Sequence, residues 1–492
     1  MSVIKKLAGQ TAIYGLSSIL SRLLNYLLVP LYTRVFLPEE FGVVTELYAI
    51  LTFVTILFTY GMETAFFSFS EKEASREKVY GTAILSILGS SFFLMTLMII
   101  LSDQTAALLG YPDHGEYIIY FAIILGADAV AAIPFARLRQ QNKAKKFAML
   151  KSVNIFINIG LNLFFLVACP AMLHSGSGLL SGIAGAIYTP EIGVGYVFIS
   201  NVLASAITLL MLIPEISGRM EFDAVLWKRM IGYAFPLLIG GLAGMVNEAL
   251  DRVILKSLIT DKATALEQLG IYGACYKIPM LMTLFIQTYR YAAEPFFFSQ
   301  QHKENNTTLY AMVMKYFVLI CSLIFLAIMM YLDIIKYFIG EKYRSGLDVV
   351  PVLLLANMCL GIFINLSMWY KLTGQTRYGA IFTIAGALIT ITLNILLIPR
   401  MGYMGAAWTT LACYFAMMVM SYLTGQKHYP IPYDLKRIFF YMGFALGLYF
   451  LSVYISSVRT LSNVQTLLIN TLLLAIFIGG SFFLERPKKQ VI

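Results

Sequence analysis

The sequence predicts an all-α integral membrane protein of about fourteen transmembrane helices. Two parallel six-helix bundles, related by a pseudo-two-fold axis along the membrane normal, are followed by two C-terminal helices. Three observations predict this. Hydrophobic residues make up 59% of the 492 residues and charged residues 13%, with a mean hydropathy of +0.77. Soluble domains carry about twice that charge fraction. The apolar residues fall in runs of about 20, the length that crosses a bilayer core at ~1.5 Å per residue. And the chain repeats itself at a separation near 230 residues.

The fourteen runs lie near 11–32, 43–62, 81–101, 117–135, 148–169, 193–213, 231–250, 271–293, 311–331, 349–369, 379–398, 403–424, 438–457 and 464–484. No strand-period alternation accompanies them, which argues against a β-barrel. Run 1 carries Arg22 and lacks a small-residue cleavage site, so it reads as a span rather than a signal peptide. Several landmarks return in order. Thr33 to Leu37 is echoed by Asp251 to Leu255, and Phe41 to Tyr48 by Leu269 to Tyr276. Asn142 to Lys145 is echoed by Gly374 to Arg377, and Leu161 to Leu163 by Leu393 to Ile395, both at offset 232. With six spans per repeat, both halves enter from the same side. The expected organisation is a bundle over 1–220, a second over 221–430, and two added spans with a tail over 431–492. The stretch His174 to Ile192, rich in Gly and Ser, reads as an external flexible loop. Pro236, Gly240, Gly241 and Gly244 are expected to interrupt span 7.

The net charge of +10 does not point to nucleic acid, because of where it lies. The termini and even-numbered connections carry 22 Lys and Arg and the odd-numbered connections 9, with Arg22, Lys151, Lys277, Arg290 and Lys315 inside spans. This positive-inside pattern expects both termini in the cytoplasm. The densest cluster, Arg137, Arg139, Lys143, Lys145, Lys146 and Lys151, reads as a topology determinant against anionic lipid. An anionic head-group site is the other reading. The five cysteines have no paired spacing, so neither a disulfide framework nor a metal site is expected.

The opening run Ser17 to Gly42 contains Pro38, Glu40, Phe41 and Gly42. It resembles the start of the polysaccharide-export, Wzx-type flippases of the multidrug/oligosaccharidyl-lipid/polysaccharide exporter superfamily. That family's pattern has Gly where this chain has Leu37. Gly374 to Ala380, Leu393 to Pro399 and Gly402 to Ala407 are similar to the same family. The resemblance implies two bundles forming a V around a cavity. It also implies flipping of a polyprenyl-diphosphate-linked oligosaccharide to the outer leaflet of a bacterial inner membrane, by alternating access, for surface polysaccharide such as O-antigen. It further implies a polysaccharide polymerase and assembly proteins as partners. Fourteen spans and Ser21-Arg22 also resemble the lipid II flippases.

Such a substrate has a doubly anionic head and a greasy tail. Charge inside a membrane is costly and marks function. Arg22, halfway along span 1, lies on one helix side with Asn25 and is the first substrate-binding candidate. Arg34 and Arg252, related by the repeat, Lys277, and Arg290 complete the cations; interface anchoring is the plainer reading of the first two. Asn154, Asn158 and Asn162 form a ladder on span 5, with Asn394 the repeat mate of Asn162. Amides suit sugar hydroxyls, and equally suit hydrogen bonds between helices. Glu63, Asp128, Glu248 and Asp251 are the candidates for coupling to Na+ or H+; Glu248 and Arg252, four residues apart, could instead neutralise each other. An inside-negative potential alone favours outward movement of an anion, by ~2.3 kcal/mol per charge per 100 mV.

Two rivals follow from the same residues. A drug exporter of the same fold calls for an acidic or aromatic cavity, whereas the mid-span charge here is Arg22. A membrane polymerase or glycosyltransferase calls for a large external loop or an acid–base or metal constellation. The chain has no Asp-x-Asp or His-Glu-x-x-His, and its four histidines are scattered. A transporter without a catalytic site or cofactor is therefore expected.

Overall fold

The computed structural model describes residues 23–24, 26–73, 75–174, 179–216, 220–300, 306–458 and 462–485. The chain divides into two compact units, Met1–Val253 and Ile254–Ile492. The division falls inside a helix, 33 residues beyond the expected boundary at 220.

The first unit contains α1 (Val29–Val35), α2 (Pro38–Thr59), α3 (Met62–Ser70), α4 (Arg76–Ile100), α5 (Ser102–Leu108) and α6 (Gly115–Gln140). It continues with α7 (Ala144–Leu163), α8 (Cys169–His174), α9 (Leu179–Ile187), α10 (Gly195–Ile216) and most of α11 (Ala224–Leu258). The motif Leu37 to Gly42 is a helix start. Pro38 occupies the first turn, where its missing N–H costs nothing, and Glu40 accepts the Leu37 N–H at 2.7 Å. Phe41 and Gly42 are buried. Helix α6 is the centre of this unit, packed by α2, α3, α4, α7 and α10. Its alanines and Gly126 let those neighbours approach.

The second unit contains α12 (Ala265–Cys275), α13 (Met280–Gln300), α14 (Asn306–Met330), α15 (Val349–Leu366), α16 (Met368–Leu372), α17 (Arg377–Met401), α18 (Tyr403–His428), α19 (Leu435–Val458) and α20 (Asn463–Glu485). Here α15, the counterpart of α6, is the central helix, against α13, α14 and α18. Helices α19 and α20 pack on α14. Among the described residues, 12 helices are long and apolar enough to cross a membrane, or 13 with the bent pair α12 and α13. They match expected spans 2 to 14. Most of span 1 lies outside the described residues.

Two expectations are corrected. Pro236 does not interrupt span 7: α11 runs through it for 35 residues, because one proline removes one backbone bond from a long helix. The breaks are elsewhere, at Tyr60 and Gly61 (φ 31° and 74°) between α2 and α3, and at residues 276–279 between α12 and α13. Nor is 174–192 a plain loop: Leu179–Ile187 is helical and Pro190–Ile192 forms a 3-10 turn, as its Leu, Ile and Ala content allows.

Candidate functional site

The chemistry of the first unit converges on one polar cavity of about 330 Å³. Glu63 enters from the first turn of α3, directly after the left-handed Tyr60–Gly61 elbow. Asp128, Phe135 and Arg139 come from α6, Phe147, Lys151 and Asn154 from α7, and Thr208 from α10. Two of the four expected coupling acids, Glu63 and Asp128, thus share a cavity. Neither stands alone. Glu63 is ion-paired with Arg139, whose guanidinium also lies 5.0 Å from the Phe67 ring centre. Asp128 is hydrogen-bonded by Ser205 and attracted by the Lys151 ammonium, which sits 4.3 Å from the Phe135 ring centre. Asn154 donates to Thr208 Oγ1 at 2.8 Å and to the Ala204 carbonyl at 3.1 Å, closing α7 on α10.

The cationic cluster of the sequence is therefore partly turned inward. Arg137 Nη2 donates to both carboxylate oxygens of Glu77 (2.8 and 2.7 Å), and the guanidinium lies over the Tyr80 ring. Lys146 reaches Glu215 at 2.6 Å, with Lys143 at 4.0 Å. Lys145 is exposed. A second, larger cavity of about 470 Å³ between α4 and α11 is almost wholly apolar; its few polar groups, Tyr60, Ser86, Ser90 and the Trp227 indole, are bonded to one another.

In the second unit, Arg290 and Lys371 both bind Glu294, at 3.1 and 2.6 Å. Lys277 lies at the break between α12 and α13, where the Asn357 amide donates to the Pro279 carbonyl at 3.1 Å. Asn365 donates to Tyr289 at 2.6 Å.

The remaining candidates are placed as follows. Arg22 and Asn25 lie outside the described residues. Arg34 donates to the Pro30 carbonyl at 2.7 Å and is exposed. Arg252 pairs with the buried Asp251 at 3.4 Å and donates to the Glu248 carbonyl, not to its carboxylate, so the expected Glu248–Arg252 neutralisation is replaced by Asp251–Arg252. Asn158 accepts from Asn162 through its carbonyl (2.8 Å) and its Oδ1 (3.1 Å), while Asn162 accepts from Tyr32 at 2.9 Å. Asn394 is fully buried.

Sequence reasoning missed four acids. Glu46 is buried and accepts from Tyr111, whose phenol is pushed above its ordinary range by burial and then by Glu46. Glu215 collects Lys146 and Lys143, Glu294 collects Arg290 and Lys371, and Glu485 collects Lys315, Tyr316, Arg437 and Tyr441. Each is a lone carboxylate in or beside an apolar run, and that signal was present in the sequence.

Residues 7–301 match the model of a family described as polysaccharide biosynthesis protein. Among solved structures, the chain is similar to the lipid II flippase MurJ in an inward closed conformation, with TM-score 0.72 at 14% identity over 95% of this chain and 98% of that one. It is also similar to an inward-facing multidrug resistance MATE family transporter of the MOP superfamily, with TM-score 0.62 at 13% identity over 83% and 94%. A third is the Vibrio cholerae MATE transporter VcmN, with TM-score 0.54 at 13% identity over 86% and 96%. No curated protein sequence matches. At these identities the structures speak to the fold alone, and the chain is a multi-pass membrane protein of that fold.

Proposed function

The chain belongs to the polysaccharide biosynthesis protein family, and we propose that it is a flippase moving a polyprenyl-diphosphate-linked oligosaccharide from the cytoplasmic to the outer leaflet of a bacterial inner membrane. The observation that carries this reading is the family match on a membrane-transporter fold. The likeness to a lipid II flippase over 95% of the chain favours a lipid-linked head group over a free drug as cargo. Both termini lie in the cytoplasm in this reading, following the charge count.

The head group is doubly anionic, so cations must meet it in the membrane. Arg22 is the first of these, with Asn25 beside it; Lys277 at the helix break, Arg290, Arg34 and Arg252 are further contacts, and Asn158 offers an amide to the sugar. Glu248, and Asp251 in its pair with Arg252, are the ion-coupling candidates outside the polar cavity. Export by an inside-negative potential is the simplest drive for an anion.

The test is reconstitution. Purified protein in proteoliposomes is given a lipid-linked oligosaccharide, and outer-leaflet arrival is read with an impermeant lectin or glycosidase. Wild type should flip it and Arg22→Ala should not, at equal protein levels, with Arg22→Lys intermediate. Full flipping by Arg22→Ala removes the diphosphate role of that residue; no flipping by wild type with any lipid-linked glycan overturns the function.

A further inference from the structure

The polar cavity of the first unit contains two acids and two bases. Its carboxylates, Glu63 and Asp128, are the groups a transporter would use to take up a coupling cation. We infer that Lys151 is a tethered counter-ion: it supplies at Asp128, as part of the protein, the positive charge that a dissociable cation would otherwise supply, so this cavity runs without Na+ or H+ exchange. The inference concerns the charge of the cavity and stands whatever the cargo is.

The geometry carries it. Asp128 lies midway along the transmembrane helix α6 and is exposed, opening into the cavity at a depth where an uncompensated charge is costly. Lys151 comes from α7, lines the same cavity, and has its ammonium held at 4.3 Å from the Phe135 ring centre, a position that fixes it without neutralising it. Asp128 lines the same cavity, and the attraction between the two charges acts across it. The other groups facing Asp128 are accounted for. Ser205 donates to it, Tyr48 is bonded by Asn201 at 3.1 Å, Asn154 and Thr208 bond each other, and Glu63 is ion-paired with Arg139. One acid then matches one base twice over.

The repeat gives an independent observation. At offset 232, Asp128 falls on Leu360 and Lys151 on Thr383. The second unit lacks both charges together. Thr383 turns back to the Gly379 carbonyl at 2.8 Å, a bond internal to its own helix. A carboxylate kept to bind an external cation would need no such partner and would have no reason to be lost in step with a lysine. Charges that occur and vanish as a pair fit an internal ion balance.

The experiment is thermal unfolding of the full-length protein in detergent, in sodium, potassium or choline chloride at equal ionic strength, at neutral and mildly acidic pH. Wild type should show one midpoint in all three salts. Lys151→Met should be lowered in choline and should regain several degrees in sodium or at acidic pH, when a cation or a proton occupies Asp128; Lys151→Arg should behave as wild type. A saturable, sodium-specific rise in wild type overturns the inference, as does a Lys151→Met protein indifferent to cation and pH. If Lys151→Met does not fold, Asp128→Asn/Lys151→Met decides: a double variant that folds and ignores sodium supports the pairing, and one that also fails to fold overturns it. None of these readouts measures flipping, so their failure is separable from failure of the flippase assignment.

Discussion

The two units end their central helices with the same device and then diverge in what they bury. In the first, Asn142 (φ 57°) follows α6, with Lys143 N–H donating to the Leu138 carbonyl at 2.9 Å. In the second, Gly374 (φ 70°) follows α16, with Gln375 N–H donating to the Tyr370 carbonyl at 2.7 Å. Every residue in the second set lies 232 after its mate. The adjacent ion pairs match too: Arg139–Glu63 in one unit, Lys371–Glu294 in the other. Backbone caps and the braces beside them survive duplication because they hold helices that both units need. Charges and hydrogen bonds deeper in the helices do not. Asp128 and Lys151 have neutral counterparts, and Asn162, bonded to Tyr32, has the mate Asn394, whose two amide atoms find no hydrogen-bond partner among the described residues. The scaffold is symmetric, and the lining is not.

The largest departure from symmetry is in the second unit, where α20 ends in Glu485. Its carboxylate accepts from Lys315 at 2.5 Å, Tyr441 at 2.5 Å, Arg437 at 2.8 Å and Tyr316 at 3.0 Å, tying α20 to α14 and α19. Asn470 adds a bond to the Met330 carbonyl at 2.6 Å and accepts one from Ser452 at 2.6 Å. Glu485→Ala leaves Lys315 facing a low-polarity site without its anion. Breaking a buried pair costs about 3–5 kcal/mol, and the lower end applies here because Arg437 keeps Asp434 and water. A thermal melt should show the largest loss of any single substitution considered, with Glu485→Gln between it and wild type. An unchanged melt would mean that α19 and α20 are held by apolar packing alone, as a true appendage would be.

The spans and the repeat were legible because each is a local or a periodic signal: a run of about 20 apolar residues needs no knowledge of its neighbours. Asn142 and Gly374 were legible as repeat mates for the same reason. The polar cavity was not. Glu63, Asp128, Arg139 and Lys151 sit on α3, α6 and α7, and only packing brings them together. The sequence offered Arg139 and Lys151 as part of a basic stretch at a membrane surface. Lys145 is exposed, but the helical period turns Arg139 toward Glu63 and Lys151 into the cavity that Asp128 shares. The proline in span 7 misled in the opposite way, since a single missing N–H is tolerated in a helix of 35 residues, while the real elbow rests on Tyr60 and Gly61.

The asparagine mates give a smaller test with opposite signs. Asn162→Leu removes the bond from Tyr32 and leaves a buried phenol without its acceptor, a loss of about 1–3 kcal/mol. Asn394→Leu removes two buried polar atoms that make no hydrogen bond among the described residues and replaces them with apolar volume, so its melt should be unchanged or raised. Equal destabilisation by both would show that the two positions are used alike and that the asymmetry is not energetic.

The smallest effect tests the shared cap itself. At Gly374 a Cβ would meet no atom within 4 Å, so Gly374→Ala isolates backbone strain from crowding. A left-handed alanine costs about 1–2 kcal/mol over glycine. Asn142 already tolerates that region better than other side chains do, and Asn142→Gly relieves the remainder, so the first unit should gain a few tenths of a kcal/mol. The two substitutions move opposite ways at repeat-equivalent positions because the backbone demand is common while the residue meeting it differs. If Gly374→Ala is neutral, the left-handed turn is not required after α16, and the correspondence between the caps would be one of sequence without one of energy.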